Sequence, residues 1–343
     1  MKITIEERVL HFKQPAGTSR GVYTERKIWL LRVTDGDAVG IGECAPLPLL
    51  SCDDIPHYQE VLRQFCEEVE QTGYLDTERL RDYPSMLFGL ETAMQNLKNA
   101  PLLFDTPFSR GEEGIPINGL VWMGTFEEMK ARIEEKLRQG FHCVKLKIGA
   151  IDFDAELELI KKIRSRFSHQ DVELRVDANG AFPFEEALYK MELLSQYALH
   201  SIEQPIKAGQ WAYMSELCRE SPLPVALDEE LIGVNDADQK RQLLNIIRPR
   251  YLVLKPSLHG GMTGVREWVD IAREMGVGTW ITSALESNVG LNAIAQLTAD
   301  IYGSKIMMPQ GLGTGQLFTD NIPMPLEIRG EQLWVTQVVS EKP

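Results

Sequence analysis

Two stretches of the chain, CVKLKI at residues 143–148 and VELRVDANG at residues 172–180, give the clearest indication of its fold. In each stretch, apolar residues alternate with charged ones as in a strand, and the run ends in charged or turn-forming residues. Between them, Phe153, Leu157 and Ile160 begin a series of apolar residues at helical spacing. A strand, a helix and a second strand of these lengths are typical of a βαβ unit with parallel strands.

The same alternation of strand-like runs and helical segments continues from about residue 116 onward. Thr125 and Glu128 have the spacing of a capping box at the start of the first helical segment, and Gly140 stands at its expected end. Repeated βα units that close on themselves form a TIM-type barrel, whose active site lies at the carboxyl ends of the strands. An open doubly wound sheet is the alternative, but no GxGxxG motif follows the early strands. The strand candidates are residues 115–121, 143–148, 172–176, 199–202, 224–227, 251–254 and 279–282.

The first hundred residues have a different pattern. Strand-like runs at 28–33 and 39–41 flank Asp35-Gly36-Asp37, which is typical of a hairpin turn, and two helical segments follow at 55–71 and 85–98. We therefore predict an α/β protein with a small α+β domain at residues 1–100 and a barrel at residues 101–320. We expect the tail, about residues 320–343, to pack against the first domain.

Composition and charge exclude several classes of function. The chain has 343 residues and a formal charge of −14, which disfavours binding to nucleic acid or to an anionic membrane. No window supplies the roughly 18 apolar residues of a membrane span. The five cysteines are scattered and form no CxxC pair, so neither a disulfide framework nor a zinc site is indicated. We expect a cytoplasmic protein.

Charged residues recur at the predicted carboxyl ends of five successive strands. Each of them alone also fits an ordinary loop or strand-end residue. Counted from Lys147, the successive residues are 30, 26, 25 and 27 positions apart. A closed barrel would bring them to one rim. The residues are Lys145 and Lys147, then Asp177, Glu203, Asp228 and Lys255.

Three converging carboxylates predict a metal site, since they repel one another unless they are protonated or bridged by a cation. All-oxygen ligation by Asp177, Glu203 and Asp228 favours Mg²⁺, with Mn²⁺ as a substitute. The six histidines do not occur at matching strand ends, which argues against a histidine-ligated metal. Lys147 and Lys255 are then candidate acid and base groups on either side of a bound carboxylate, with Lys145 as additional positive charge. Such a site is suited to removing a proton α to a carboxylate.

These residues resemble the enolase superfamily, whose members use Lys or His bases with Mg²⁺. The order KxK, Asp, Glu, Asp, Lys is that of its muconate-lactonizing subgroup. Later segments are similar to the o-succinylbenzoate synthases of that subgroup, and Gly311-Leu312-Gly313 stands where dipeptide epimerases typically carry DxD. The matching motifs are KLK at 145–147, RVDANG at 175–180, SIEQP at 201–205, ALDE at 226–229, LKPS at 254–257, TSALES at 282–287 and GLGTG at 311–315.

The resemblance implies a capping domain in front of a modified TIM barrel of the (β/α)7β type. It implies Mg²⁺-dependent dehydration of 2-succinyl-6-hydroxy-2,4-cyclohexadiene-1-carboxylate to o-succinylbenzoate, a step of menaquinone biosynthesis. Lys147 would take the α-proton, while Lys255 and Lys145 would stabilise the anionic intermediate and the carboxylate. For the second carboxylate of the substrate, the expected receptors are Ser283 and the backbone amides around Gly311 and Gly313.

Other functions fit the same residues. N-succinylamino-acid racemases, dipeptide epimerases and muconate cycloisomerases share the catalytic set. A metal-free Schiff-base aldolase using Lys255 and a non-catalytic binding protein are alternatives from other classes. We expect a small-molecule carboxylate as substrate and regard a homo-oligomer as compatible with the sequence. The polar segment 17–21 is expected to be a loop that closes over the barrel mouth.

Overall fold

The computed structural model describes residues 1–18, 21–122 and 124–336, except for the side chain of Thr18. Its elements form an antiparallel sheet with two helices, a parallel sheet with its helices, and a small antiparallel sheet that includes the last described strand. The first two groups contain separate clusters of buried apolar side chains. None of the helices in the described ranges combines the length and the apolar character needed to cross a membrane.

The N-terminal unit is an antiparallel three-stranded sheet that packs against two helices. Its elements are β1 (Lys2–Thr18), β2 (Gly21–Asp35), β3 (Ala38–Cys44), α1 (Tyr58–Thr72) and α2 (Pro84–Asn99). Gly36 adopts a φ of 57° in the turn between β2 and β3, as the hairpin prediction requires. A Cβ atom on Gly42 would lie 2.0 Å from the carbonyl oxygen of Gly89, so glycine allows β3 and α2 to approach closely.

The second unit alternates strands with helices, and strands β5 to β11 below form one parallel sheet in sequence order. The strands are β4 (Ile115–Pro116), β5 (Gly119–Val121), β6 (Cys143–Lys147), β7 (Glu173–Asp177), β8 (Ser201–Glu203), β9 (Val225–Leu227), β10 (Tyr251–Leu254) and β11 (Gly278–Ile281). The helices are α3 (Phe126–Arg138), α4 (Phe153–Arg166), α5 (Phe184–Ser195), α6 (Trp211–Glu220), α7 (Ala237–Ile247), α8 (Gly261–Glu274) and α9 (Asn288–Tyr302), with 3₁₀ turns at Glu229–Leu231 and Thr314–Gln316. The predicted capping box is present, with Thr125 and Glu128 bonded reciprocally.

A two-residue segment completes the curled parallel sheet. The amide of Asn118 donates to the carbonyl of Gln310 over 3.0 Å, and the amide of Gly311 donates to the carbonyl of Ile281 over 2.9 Å. Isolated parallel bridges join the same two residues to Ile117 on one side and to Thr282 on the other. The segment thus connects the first strand region to the last, and the predicted barrel-type α/β fold with an antiparallel N-terminal unit is confirmed.

The described part of the tail contacts both units. The amide of Lys13 in β1 donates to the carbonyl of Leu317 over 2.8 Å. The hairpin of β12 (Leu326–Arg329) and β13 (Gln332–Val335) instead pairs with β4. Residues 337–343 lie outside the described residues, and the expected boundaries at residues 100 and 320 stay a prediction.

Candidate active site

The strand register places the predicted charged residues at one edge of the parallel sheet. Lys147 pairs with Asp177 across β6 and β7, and Asp177 pairs with Glu203 across β7 and β8. Asp228 and Lys255 directly follow β9 and β10. Because the carboxyl ends of parallel strands meet at the same edge, these side chains converge there.

The alternation of side chains along β6 separates its charged residues from its apolar ones. Val144 and Leu146 lie in the apolar core between the sheet and the helices. Lys145 and Lys147 lie on the opposite face of the strand and line a cavity of about 590 Å³. Lys255 lines the same cavity, so all three predicted lysines face one space.

Lys145 lies between two of the predicted metal ligands. Its Nζ atom is 2.6 Å and 2.7 Å from the two carboxylate oxygens of Glu203, and 2.8 Å from Asp177 Oδ2. Burial alone would lower the pKa of Lys145, but the negative charges of Asp177, Glu203 and Asp228 raise it above its usual range. These three acids therefore favour the ammonium form of Lys145.

Lys147 has a different set of contacts. Its Nζ atom is 3.0 Å from Asp177 Oδ2 and 2.7 Å from Asn179 Oδ1, and it lies 5.8 Å from the ring centre of Trp122. Asn179 in turn donates to Glu229 over 3.0 Å, which fixes the orientation of its amide. The ammonium group thus lies at the cavity wall with both polar and aromatic neighbours.

Lys255 forms an ion pair with Asp228 and has a buried histidine beside it. The backbone amide of Lys255 donates to His259 Nδ1 over 2.9 Å. Burial lowers the pKa of His259 to about 3, so this imidazole is neutral at physiological pH. Burial would lower the pKa of Lys255 as well, but Asp228, Glu203 and Glu229 raise it, and Lys255 is also a cation in this arrangement.

The three carboxylates are almost completely buried, between 0% and 2% exposed. Burial raises the pKa of Glu203 well above its usual range, and neighbouring Asp177 raises it further. Burial would have the same effect on Asp177 and Asp228, but the adjacent lysines hold their pKa values below the usual range. Burial and Asp177 thus oppose the ionisation of Glu203, and an additional cation beside these acids would favour it.

A divalent cation fits this donor set. The oxygen donors are those that Mg²⁺ prefers, and Asp228 Oδ1 is buried without a hydrogen-bond partner among the described residues. In this structure, ammonium groups of lysines contact the acid oxygens. Within the described ranges, no three Asp, Glu, His or Cys side chains are arranged so that they could coordinate a metal ion without moving. Binding of a cation would require the lysine contacts to rearrange.

The expected receptors of the second carboxylate line the cavity but differ in what they offer. Ser283 Oγ is 2.6 Å from Thr314 Oγ1, and both side chains are buried at the cavity wall. The amide of Gly311 is bonded to the carbonyl of Ile281, so the expected role of this amide as an anion receptor is not supported. A Cβ atom on Gly311 would lie 2.2 Å from Thr282 Oγ1, whereas Gly313 has only ordinary contacts. Glycine at 311 is thus explained by barrel closure.

Three cavity residues were missed by the interpretation of the sequence. Asn179 and Glu229 belong to the motifs RVDANG and ALDE, but no role was assigned to their side chains. Their spacing, two residues after Asp177 and one after Asp228, was the available signal. Trp122, directly after β5, gave no comparable signal. Of the predicted closing segment 17–21, Gly17 and Thr18 belong to β1 and Gly21 to β2, and the residues between them lie outside the described residues. Residues 12–16 of β1, which precede this segment, line the cavity.

Comparison with known proteins assigns a family to this arrangement. Residues 128–337 match the family model described as Enolase C-terminal domain-like, and residues 18–97 match MenC, N-terminal domain. The o-succinylbenzoate synthase of Desulfotalea psychrophila (strain LSv54 / DSM 12343) is 45% identical over 98% of this chain and 99% of that protein.

Solved structures agree with the sequence comparison. The crystal structure of MenC from Desulfotalea psychrophila LSv54 superposes with a TM-score of 0.82 at 42% identity, covering 98% of this chain and 99% of that one. The L-Ala-D/L-Glu epimerase from Bacillus subtilis has the same fold, with a TM-score of 0.82 at 20% identity over 98% of this chain and 96% of that one. The chain therefore belongs to the enolase superfamily and, within it, to the MenC family of o-succinylbenzoate synthases.

Proposed function

We propose that the protein dehydrates 2-succinyl-6-hydroxy-2,4-cyclohexadiene-1-carboxylate to o-succinylbenzoate in menaquinone biosynthesis. The observation that carries the proposal is the pair of lysines, Lys147 and Lys255, that face one cavity above three buried carboxylates. The 45% identity to an o-succinylbenzoate synthase over nearly the full chain supports this substrate.

Enzymes of this superfamily generally use a divalent metal, and we propose Mg²⁺ held by Asp177, Glu203 and Asp228. When bound, the ion supplies positive charge that stabilises the negative charge developing on the substrate carboxylate. The lysines contribute to the same stabilisation. Lys145, which stays protonated, lies within 2.8 Å of two of these acids and adds fixed positive charge at the same position.

Lys147 is proposed to remove the proton α to the substrate carboxylate. Its contact with Asn179 holds Nζ at the cavity wall, whereas its contact with Asp177 would be released when Asp177 holds the cation, and Lys147 would then act as the neutral amine. A base must lie within hydrogen-bond reach of the proton that it abstracts, and Lys147 Nζ lies at the cavity wall beside Asp177, one of the acids proposed to hold the cation to which the substrate carboxylate would bind. The electron pair of the broken C–H bond moves toward the carboxylate, which then carries additional negative charge.

Lys255 is proposed to stabilise this charge from the other side of the substrate. Its side chain lies four strands away from that of Lys147 in the curled sheet and is paired with Asp228. The ammonium group of Lys147, formed in the first step, then donates its proton to the departing β-hydroxyl. The C–O bond breaks, water leaves, and the electron pair forms the double bond that makes the ring aromatic.

The cavity also offers a place for the second carboxylate of the substrate. The hydroxyls of Ser283 and Thr314 are bonded to each other at its wall, so one donates to the other and the second hydroxyl proton is available for a substrate carboxylate. We propose that this hydroxyl pair, with Gly313 beside it, binds the succinyl carboxylate.

An assay with purified protein tests the function. The authentic cyclohexadiene substrate is converted to o-succinylbenzoate with Mg²⁺ present, conversion stops after treatment with EDTA, and added Mg²⁺ restores it. Mn²⁺ is tested in parallel as the expected substitute. Absence of product with either ion would contradict the proposal.

Racemisation of N-succinylamino acids is the second candidate, because two lysines facing one cavity can also remove and return a proton on opposite faces of a carbon. Solvent deuterium would then enter a chiral N-succinylamino acid, and exchange would require both Lys147 and Lys255. The dehydratase assay and this exchange assay on one preparation distinguish the two reactions.

The expectations of a cytoplasmic location, of homo-oligomeric assembly and of no nucleic-acid or membrane partner stay predictions.

A further inference from the structure

We propose that His259 is a positioning residue that holds Lys255 in its catalytic location. The inference rests on the proposed function, because it assumes that Lys255 acts on the substrate. It follows from the geometry of the loop at residues 255–261, which connects β10 to α8.

The loop folds back on Lys255 through three hydrogen bonds. The amides of Leu258 and His259 both donate to the carbonyl of Lys255 over 2.9 Å. The ring of His259 returns to the same residue and accepts the amide of Lys255 at Nδ1 over 2.9 Å. The backbone of Lys255 is therefore bonded on both its carbonyl and its amide side by the same short loop.

The imidazole of His259 makes no other hydrogen bond among the described residues. The side chain is 0% exposed, and its Nε2 atom has no partner there. Burying a polar ring costs free energy unless hydrogen bonds offset it. The bond to Lys255 is thus the one polar interaction that accounts for a histidine, rather than an apolar residue, at this position.

The far end of the loop is also fixed. Gly261 adopts a φ of 69°, and a Cβ atom there would lie 2.4 Å from Glu91 Oε2. Glu91 of α2 accepts the amides of Met262 and Thr263 in the first turn of α8. With this end held against α2, the bond to His259 Nδ1 is the contact through which the loop holds the backbone amide of Lys255.

The expected consequence is a change in kcat with little change in KM. Lys255 stabilises charge that develops during the reaction, and a displacement of about 1 Å can reduce such a contribution by up to about 100-fold. Binding of the substrate depends on the acids and on the hydroxyl pair, which the loop at 255–261 does not contribute. A general loss of folding would instead lower the active fraction of any assay.

Two polar substitutions separate the role of Nδ1 from that of Nε2. His259→Asn keeps an acceptor oxygen close to the Nδ1 position, and His259→Gln places its amide near the Nε2 position. We expect kcat of the Asn variant within about 3-fold of the wild type and a fall of about 10-fold to 100-fold for the Gln variant, with KM within about 3-fold for both. Thermal unfolding measures whether each variant is folded.

The matched control is His200→Leu. His200 is a half-buried histidine that stacks on Tyr251 and bonds Ser201, away from the lysines, and we expect its kcat within about 3-fold of the wild type. Equal kcat values for the Asn and Gln variants, or a loss expressed in KM alone, would overturn the inference. If the wild type makes no o-succinylbenzoate, the proposed function fails instead, so the two failures are distinguishable.

Discussion

Buried charges occur in two regions of this protein, and their partners differ. At the carboxyl edge of the barrel, Asp177, Glu203 and Asp228 face the ammonium groups of lysines. A second set of charged groups lies at the contact between the N-terminal unit and helices α8 and α9. These groups are bonded chiefly to backbone groups and to hydroxyls of residues at the starts of the two helices. The first region gathers charges of both signs around a cavity, whereas the second distributes them over a packed interface.

The second region uses three residues of the N-terminal unit. Arg26 donates to the carbonyls of Ala45, Pro46, Ala284 and Leu285. Glu43 accepts the amides of Ser287 and Gly290, each over 2.8 Å, at the start of α9. Glu91 does the same for the first turn of α8.

The comparison teaches that burial of a charge does not by itself identify an active site. A carboxyl group at a helix N-terminus has its oxygens occupied by backbone amides and neighbouring hydroxyls, which offset part of the cost of its burial. Carboxylates that face lysines around a cavity leave oxygen atoms available for a cation or a substrate. The nature of the partner therefore distinguishes a catalytic charge from a structural one.

Substitution of Lys147 tests the first region and has the largest expected effect. Lys147→Ala removes the proposed base, and we expect kcat to fall by about 10²-fold to 10⁴-fold with the fold intact. Product formation and thermal unfolding are measured on the same sample. Retention of wild-type kcat by this variant would place the base elsewhere.

Substitution of Arg26 tests the second region, where the expected effect is on stability. Arg26→Met leaves buried carbonyls without their donor and leaves Glu286 and Glu43 without a neighbouring positive charge. We expect the free energy of unfolding to fall by about 3–5 kcal/mol, as measured by urea denaturation. The kcat of the molecules that remain folded should change far less than in Lys147→Ala. A kcat loss as large as that of Lys147→Ala would remove the distinction between the regions.

The pH dependence of stability tests Glu91. Burial raises its pKa from 4.5 to about 7, so the folded state binds this proton more tightly than the unfolded state. The resulting contribution is fully present below about pH 4.5 and is lost as the pH rises through about 7. We expect wild type to lose about 3 kcal/mol over this window relative to Glu91→Gln, which lacks the titrating group. Parallel curves of unfolding free energy against pH for the two proteins would contradict the expectation.

Removal of the capping box at the start of α3 is expected to have the smallest effect on stability. It serves as a reference for an exposed helix cap. Thr125 Oγ1 accepts the amide of Glu128, and the backbone amide of Thr125 donates to the Glu128 carboxylate at the protein surface. Thr125→Ala should lower the free energy of unfolding by about 1 kcal/mol without changing kcat. A fall in the free energy of unfolding as large as that for Arg26→Met would show that the energetic contribution of these interactions does not depend on their burial.

The sequence predicted those features that repeat with the βα period. The strand at Tyr251–Leu254 was predicted to the residue, and the lysines and acids were placed at one edge because parallel strands share a direction. The hairpin turn at Gly36 and the capping box at Thr125 followed from local turn and cap preferences, which act within a few residues.

Features that depend on contacts between distant parts of the chain were not predicted. Arg26 and Glu43 were not singled out in the sequence, because their partners across the interface, Leu285 and Ser287, lie more than 240 residues away. Gly311 was assigned to the substrate because nothing in the local sequence reveals that its amide bonds Ile281. Such assignments require the position of a neighbouring strand.

The five-residue strand β6 makes the chemistry intolerant of small changes in chain length. Lys145 and Lys147 share a face because they are two residues apart, and a shift of one residue against β7 would turn both ammonium groups into the apolar layer under the helices. Insertions in the exposed loop between α4 and β7 should leave that alignment intact. A single deletion within Cys143–Lys147 should therefore inactivate the enzyme. Exposed loops such as the one between α4 and β7 should vary in length without loss of turnover.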